Sequence, residues 1–167
     1  GKPVIIGGTS DRGVVASCSY EARKFGVHSA MSSRMAKMLC PHGVFLKGNM
    51  DEYSKASHEI TAILRERVPL IEKASIDEHY IDMTGMDRFH STHKYAQELK
   101  ELVWKETGLP ISFGLSVNKT VSKMATNECK PNGALNVVQA EVRPFLNPLS
   151  IRKIPGLGEK TFIKLSD

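Results

Sequence analysis

Asp77 and Glu78 stand side by side where an apolar stretch breaks, in Ile76-Asp77-Glu78-His79-Tyr80. Two carboxylates aimed at one point are hard oxygen donors, which suit magnesium or manganese rather than zinc. On one continuous strand, neighbouring side chains face opposite ways, so the pair could not share an ion without a bend. The apolar runs 71–76 and 80–83 predict a hairpin with Asp-Glu-His at or near its tip, where both carboxylates converge. Two solvated acids in an ordinary turn would carry the same local signature.

Three further groups bear on chemistry. Ile154-Pro155-Gly156-Leu157-Gly158 lies between two helical stretches, with Arg152, Lys153, Lys160 and Lys164 around it. Its glycines permit a tight turn that brings backbone N–H groups to a phosphate near a helix N-terminus. A helix-hairpin-helix element grips a DNA backbone in this way without reading bases, with Ile154, Gly156, Gly158 and Lys160 as the contact residues, and Pro-Gly-x-Gly also occurs in ordinary turns. Lys130 opens Lys130-Pro131-Asn132-Gly133 just past a helix, placed either to meet a phosphate or simply to complement the helix dipole. Ser17, Tyr20 and Arg23 recur at a spacing of three, which on a helix stacks a hydroxyl, a phenol and a guanidinium on one face. Such a row suits a triphosphate, Arg23 offering a bidentate fork, and equally suits a surface helix with a packed tyrosine. His90 and His93 could share a helical face but read as solvated residues, and Cys18, Cys40 and Cys129 form neither a disulfide framework nor a zinc ribbon.

These residues need elements to hold them. Residues 1–8 and 14–16 read as a strand pair joined by a turn from Thr9 to Gly13. Residues 17–26 read as a short helix with serines to cap its start and Gly26 to end it, and a second short helix spans about 32–39. With Asp51 as cap, Tyr53, Ala56, Ile60, Ile63 and Leu64 form one helical stripe that ends by Pro69. A helix from Ser91 to Thr107 turns Tyr95, Leu99, Leu102 and Val103 inward and stops at Gly108. Alternating Ile111, Phe113 and Leu115 predict a strand, Asn118 caps a helix carrying Val121, Met124 and Ala125, and residues 134–138 predict a last strand. Helices alternating with antiparallel strands describe an α+β sheet covered on one face, and Pro144 and Pro148 mark a boundary.

The 167 residues can bury a core. No apolar run is long enough to span a membrane and no signal peptide opens the chain, so a cytoplasmic protein is expected. Charge is unevenly spread: residues 1–50 carry seven basic and two acidic side chains, residues 51–110 eight and twelve, and residues 111–167 eight and four. An acidic middle between basic flanks suits a body that holds cations, with arms that touch a polyanion.

Taken in order, Ser19-Tyr20-Glu21-Ala22-Arg23-Lys24-Phe25-Gly26, Ser75-Ile76-Asp77-Glu78, Lys130-Pro131-Asn132-Gly133 and Ile154-Pro155-Gly156-Leu157-Gly158 resemble the motifs of the Y-family, translesion-type DNA polymerases of the DNA polymerase IV kind. The resemblance implies fingers over 1–48, a palm over 49–138 with a largely antiparallel ferredoxin-like sheet covered by helices, and the start of a helix-hairpin-helix thumb over 139–167. It implies template-directed, low-fidelity DNA synthesis with two magnesium ions, manganese being able to substitute. Asp77 would bridge both ions and Glu78 would hold the one beside the primer 3′-hydroxyl. Ser17, Tyr20, Arg23 and Lys130 would bind the deoxynucleoside triphosphate, and Ser75 matches an active-site position. Primer-template DNA and a sliding clamp are the implied partners.

Family members open on a strand with a further metal-binding aspartate and an aromatic residue that excludes ribonucleotides. This chain starts after both and reads as an incomplete piece, so it is expected to be inactive or weakly active alone. His79, Asn127 and Cys129 depart from the usual residues without removing charge from the chemistry. A DNA-binding module without enzymatic activity, and a nucleotidyl cyclase, are the other functions that fit parts of the pattern.

Overall fold

A computed structural model describes residues 1–8, 10–88 and 91–166, with side chains through 165. The Thr9 end of the predicted turn and His90 of the histidine pair lie outside the described residues. The chain divides into two compact units, Gly1–Tyr53 and Ser54–Asp167.

In the first unit, β1 (Val4–Gly7) runs antiparallel to β2 (Val15–Cys18) and parallel to β3 (Val44–Leu46), in the order β2-β1-β3. The third strand was not expected from sequence, although Val44-Phe45-Leu46 is an apolar run between Gly43 and Gly48. Two short helices follow β2, α1 (Tyr20–Arg23) and α2 (Ser33–Leu39). Ser19 caps α1 by accepting from the Ala22 amide, and Ser32 caps α2 by accepting from Met35. The α1 helix is shorter than predicted and leaves Ser17 on β2, opposite Ile6. Ile5, Val15, Cys18, Ala22, Val27, Ala36 and Cys40 close the core of this unit.

The division between units falls within α3 (Met50–Arg65). Its cap is Asn49, whose side chain accepts from Glu52, rather than the expected Asp51, which lies inside the first turn. The second unit continues with the hairpin β4 (Leu70–Lys73) and β5 (His79–Asp82), then α4 (Thr92–Thr107), β6 (Phe113–Ser116), α5 (Lys119–Glu128) and β7 (Ala134–Val137). Leu64, Val68, Leu99 and Val103 form one core cluster against Ile71 and Ile81 of the hairpin. Val121, Ala125 and Val137 form a second. Ser91 and Asn118 cap α4 and α5, and Gly108 ends α4 at φ 71°, in the left-handed region open to glycine. After β7 come α6 (Val142–Leu146), which contains Pro144 in its first turn, and α7 (Glu159–Ser166).

The α+β class holds. The strand pairing is more mixed than the largely antiparallel sheet expected: β4–β5 is antiparallel, whereas β6 and β7 pair in parallel. The helix α5 lies between β6 and β7 in the chain and supplies the long crossover that parallel neighbours require.

Candidate functional site

Register decides what each face of the hairpin can do. Ile71 pairs with Ile81 and Lys73 with His79, while Glu72 pairs with Tyr80 on the opposite face. The Ile71 face packs into the core, and there His79 reaches Thr61 of α3, Nε2 to Oγ1 at 2.8 Å. The Thr61 hydroxyl already donates to the Ser57 carbonyl at 2.6 Å, so His79 Nε2 carries the proton and donates. Burial lowers the His79 pKa, helped by Lys73 and Arg65 and opposed by Asp77. The imidazole therefore acts as a neutral tie between α3 and the hairpin.

Asp77 and Glu78 lie in the turn between β4 and β5. The turn is closed by the amides of Ala74 and Ser75, which both donate to the Glu78 carbonyl at 3.0 and 3.3 Å. Ser75 Oγ donates to Asp77 Oδ1 at 2.8 Å. Glu78 is held differently, by an ion pair with Lys123 of α5. One helical turn earlier, Lys119 pairs with Glu72 and lies 5.5 Å from the centre of the Tyr80 ring. So α5 addresses the polar face of the hairpin with two lysines four residues apart, on the same side of the helix. Burial lowers the Lys123 pKa, Lys130 repels it further, and Asp77 opposes both.

Lys130 is exposed just beyond α5, where the Lys130–Pro131 peptide is cis. The following turn is anchored by Lys100, which donates to the Asn132 carbonyl at 2.6 Å. A Cβ at Gly133 would fall 1.8 Å from the Cys129 carbonyl oxygen, so only glycine lets the chain pass that close. The Cys129 thiol, facing the Phe113 and Thr126 carbonyls, is pushed up by burial.

In the first unit, Tyr20 and Arg23 share α1 and are both exposed, the guanidinium carbon 5.7 Å from the tyrosine ring centre. Ser17 does not join them in a helical row. It is exposed on β2, because strand pairing with β1 runs through Cys18 before Ser19 starts the helix.

At the Ile154–Gly158 turn, the Leu157 amide donates to the Ile154 carbonyl at 3.1 Å and Gly156 takes φ 81°, as a glycine-bearing tight turn requires. The Thr161 and Phe162 amides donate to the Gly158 carbonyl, which makes Gly158 the first residue of the α7 cap. The amides of Gly158, Glu159 and Lys160 therefore have no partner within the helix. The basic flank is less available than its sequence suggests. Arg152 forms a two-pronged pair with Glu159, at 2.5 and 2.9 Å, and lies 3.6 Å from the Phe162 ring centre. Lys153 holds both oxygens of Glu128, at 2.7 and 2.8 Å. Among the described residues, Lys160 and Lys164 have no acidic partner.

Among the described residues no three acidic, histidine or cysteine side chains cluster around a point. The chemistry of the Asp77–Glu78 pair nonetheless fits a hard divalent cation, because magnesium is commonly held by one or two carboxylates together with substrate phosphates and water. Of the two carboxylates, Glu78 carries the Lys123 ammonium.

The family described as impB/mucB/samB matches residues 1–127. The chain belongs to that family. Its motifs thus mark real kinship with the Y-family polymerases, and curated relatives agree: DNA polymerase IV of Treponema denticola is 46% identical over 162 residues, covering 96% of this chain and 41% of the relative. DNA polymerase IV of Listeria innocua is 44% identical over 167 residues, covering 99% of this chain and 47% of the relative. Among solved structures, "Dbh Ternary Complex (substrates partially disordered)" matches with a TM-score of 0.88 at 31% identity, over 99% of this chain and 49% of that one. A crystal structure of DinB from Sulfolobus solfataricus matches with a TM-score of 0.85 at 30% identity, over 99% of this chain and 50% of that one. The chain spans about half the length of these relatives or less. Among the described residues no helix is long and apolar enough to cross a membrane.

Within this family's fold, sequence reasoning missed Lys123. Its only local trace is the Lys119/Lys123 spacing of four, which places both lysines on one side of the helix, facing away from buried Val121, Met124 and Ala125.

Proposed function

We propose that this chain is the nucleotidyl-transfer part of a DNA polymerase that extends a primer along a template, with the low fidelity of lesion bypass. The observation that carries this reading is the Asp77–Glu78 pair at the tip of β4–β5, in a chain whose relatives bear the name DNA polymerase IV. On this reading residues 1–48 are fingers, 49–138 the palm and 139–167 the start of the thumb.

Asp77 and Glu78 would hold the divalent ions, magnesium first, which supply a lowered pKa to the primer hydroxyl and charge neutralisation to the leaving pyrophosphate. Ser75, by donating to Asp77, orients that carboxylate. In the first unit, Arg23 offers a guanidinium fork and Tyr20 a phenol to a triphosphate, with Ser17 as a hydroxyl on the neighbouring strand. In the second unit, Lys130 supplies an exposed ammonium to the same class of ligand. The turn at Ile154–Gly158 and the α7 N-terminus, with Lys160, grip a DNA phosphate through backbone amides and charge. A sliding clamp is the further partner that the kinship suggests.

Primer extension by the full-length protein tests this. Asp77→Asn should lower the rate by roughly a hundredfold or more, the equivalent of the several kcal/mol a bound metal contributes, while folding and DNA binding persist. Undiminished synthesis would remove Asp77 from the site. DNA binding with no synthesis and no metal dependence would favour the non-enzymatic module, and cyclic nucleotide products the cyclase. The 167 residues alone should extend primers weakly or not at all, since two carboxylates under-neutralise two dications.

A further inference from the structure

The Lys123–Glu78 contact is not an ordinary surface ion pair. The side chains are 23% and 36% exposed, so water screens the pair less than it would two free surface groups. The lysine is delivered by scaffold: α5 buries Val121, Met124 and Ala125, and Lys119 one turn earlier anchors the same helix to Glu72 and Tyr80. Asp77 attracts the ammonium and Lys130 repels it, so it stands in the field of two further charged groups assigned to the site.

We infer that Lys123 is a resident counter-ion that occupies Glu78 and must be displaced when a divalent cation binds there. This rests on the reading of Glu78 as a metal ligand. A magnesium or manganese ion sits about 2 Å from a carboxylate oxygen. An ammonium on the same carboxylate would then face a dication at a few ångströms, a repulsion that partial burial leaves only partly screened. The carboxylate therefore exchanges one cation for the other. Lys123 keeps Glu78 ordered and neutralised when no metal is bound, and it sets how tightly metal is held by competing for the same oxygen.

Manganese binding to the intact protein, followed by electron paramagnetic resonance of the free ion, tests the exchange without reference to activity. Lys123→Gln should tighten manganese binding by roughly two- to fivefold, the upper part of the range a partly exposed ion pair represents. Lys123→Met should do the same, and Lys123→Arg, which keeps the charge, should leave affinity near wild type. Unchanged or weaker binding in folded Lys123→Gln and Lys123→Met, alongside weaker binding in Glu78→Gln, would overturn the inference while leaving the metal reading intact. Unchanged binding in both Asp77→Asn and Glu78→Gln would overturn the metal reading, and this one with it. The wild type supplies a check that needs no variant: the Lys123 ammonium nitrogen resonance, shifted by its ion pair, should move toward that of a free lysine as magnesium is added. A resonance that stays put while magnesium saturates the protein would also overturn the exchange.

Discussion

Arg152 and Lys160 lie eight residues apart around the same glycine turn, and charge alone would assign them one role. The structure separates them. Arg152 spends its guanidinium on Glu159 and on the face of Phe162, an arrangement that locks the turn before α7. Lys160 stands at the α7 N-terminus beside amides that have no helical partner. Lys160→Ala should therefore weaken binding to primer-template DNA and reduce the slope of log affinity against log salt by about 1, with the melting temperature unchanged. Arg152→Met should lower the melting temperature and leave the salt slope close to wild type. Fluorescence anisotropy at several salt concentrations, paired with thermal melts, distinguishes the two; a salt slope that falls equally in both variants would restore Arg152 to the phosphate.

Among the elements, α5 has the most consequences. Its buried stripe lies against β6 and β7, its lysines reach the acidic hairpin, and Glu128 near its end holds Lys153. That position depends on Gly114 in β6, where a Cβ would lie 2.3 Å from the Ser122 carbonyl oxygen and 2.6 Å from the Thr126 amide nitrogen. Both obstacles are helix backbone, so a methyl group can be accommodated only if α5 moves away from the strand. Gly114→Ala should cost about 1–3 kcal/mol, the usual range for overpacking, read as a lower urea midpoint with little change in its slope. It should also tighten metal binding, because Lys123, which competes with metal for Glu78, moves with the helix. A stable variant with normal metal affinity would show that α5 is not what sets the hairpin's polar face.

Across the whole molecule, stability against acid is divided between the units. Lys37 donates to Asp11 in the first at 2.9 Å, and Thr84 donates to Asp82 in the second at 2.9 Å. Both carboxyls lie below the ordinary carboxylate range, Asp11 chiefly through its hydrogen bond from Lys37, and Asp82 through its bonds from Thr84. A depressed folded pKa means the unfolded chain takes up the proton first. The contribution is complete above the unfolded value of about 3.9 and is lost as pH falls through the folded value. The melting temperature should thus drop between pH 5 and pH 3, and Asp82→Asn should drop less steeply over that window. Identical slopes in the two proteins would remove Asp82 from the acid response.

Much of this molecule was legible along the chain. Ser32, Ser91 and Asn118 cap helices, Gly108 and Gly156 take positive φ, and Asp77 and Glu78 fall in a turn between two strands, because each of these depends on bonds within a few residues. Where two local tendencies competed the outcome was less predictable: Ser17 fits a helical row by spacing, yet pairing with β1 keeps it on a strand. Tertiary structure alone decided which partners the charges take. Glu78 meets Lys123 and Glu72 meets Lys119 across 45 and 47 residues, and β3 pairs with β1 from the far side of two helices. No periodicity encodes such meetings, since they follow from how α5 packs on β6 and how the hairpin turns its faces. The sequence by itself determined that two carboxylates would share a turn; the packing of α5 determined that one of them already holds a cation.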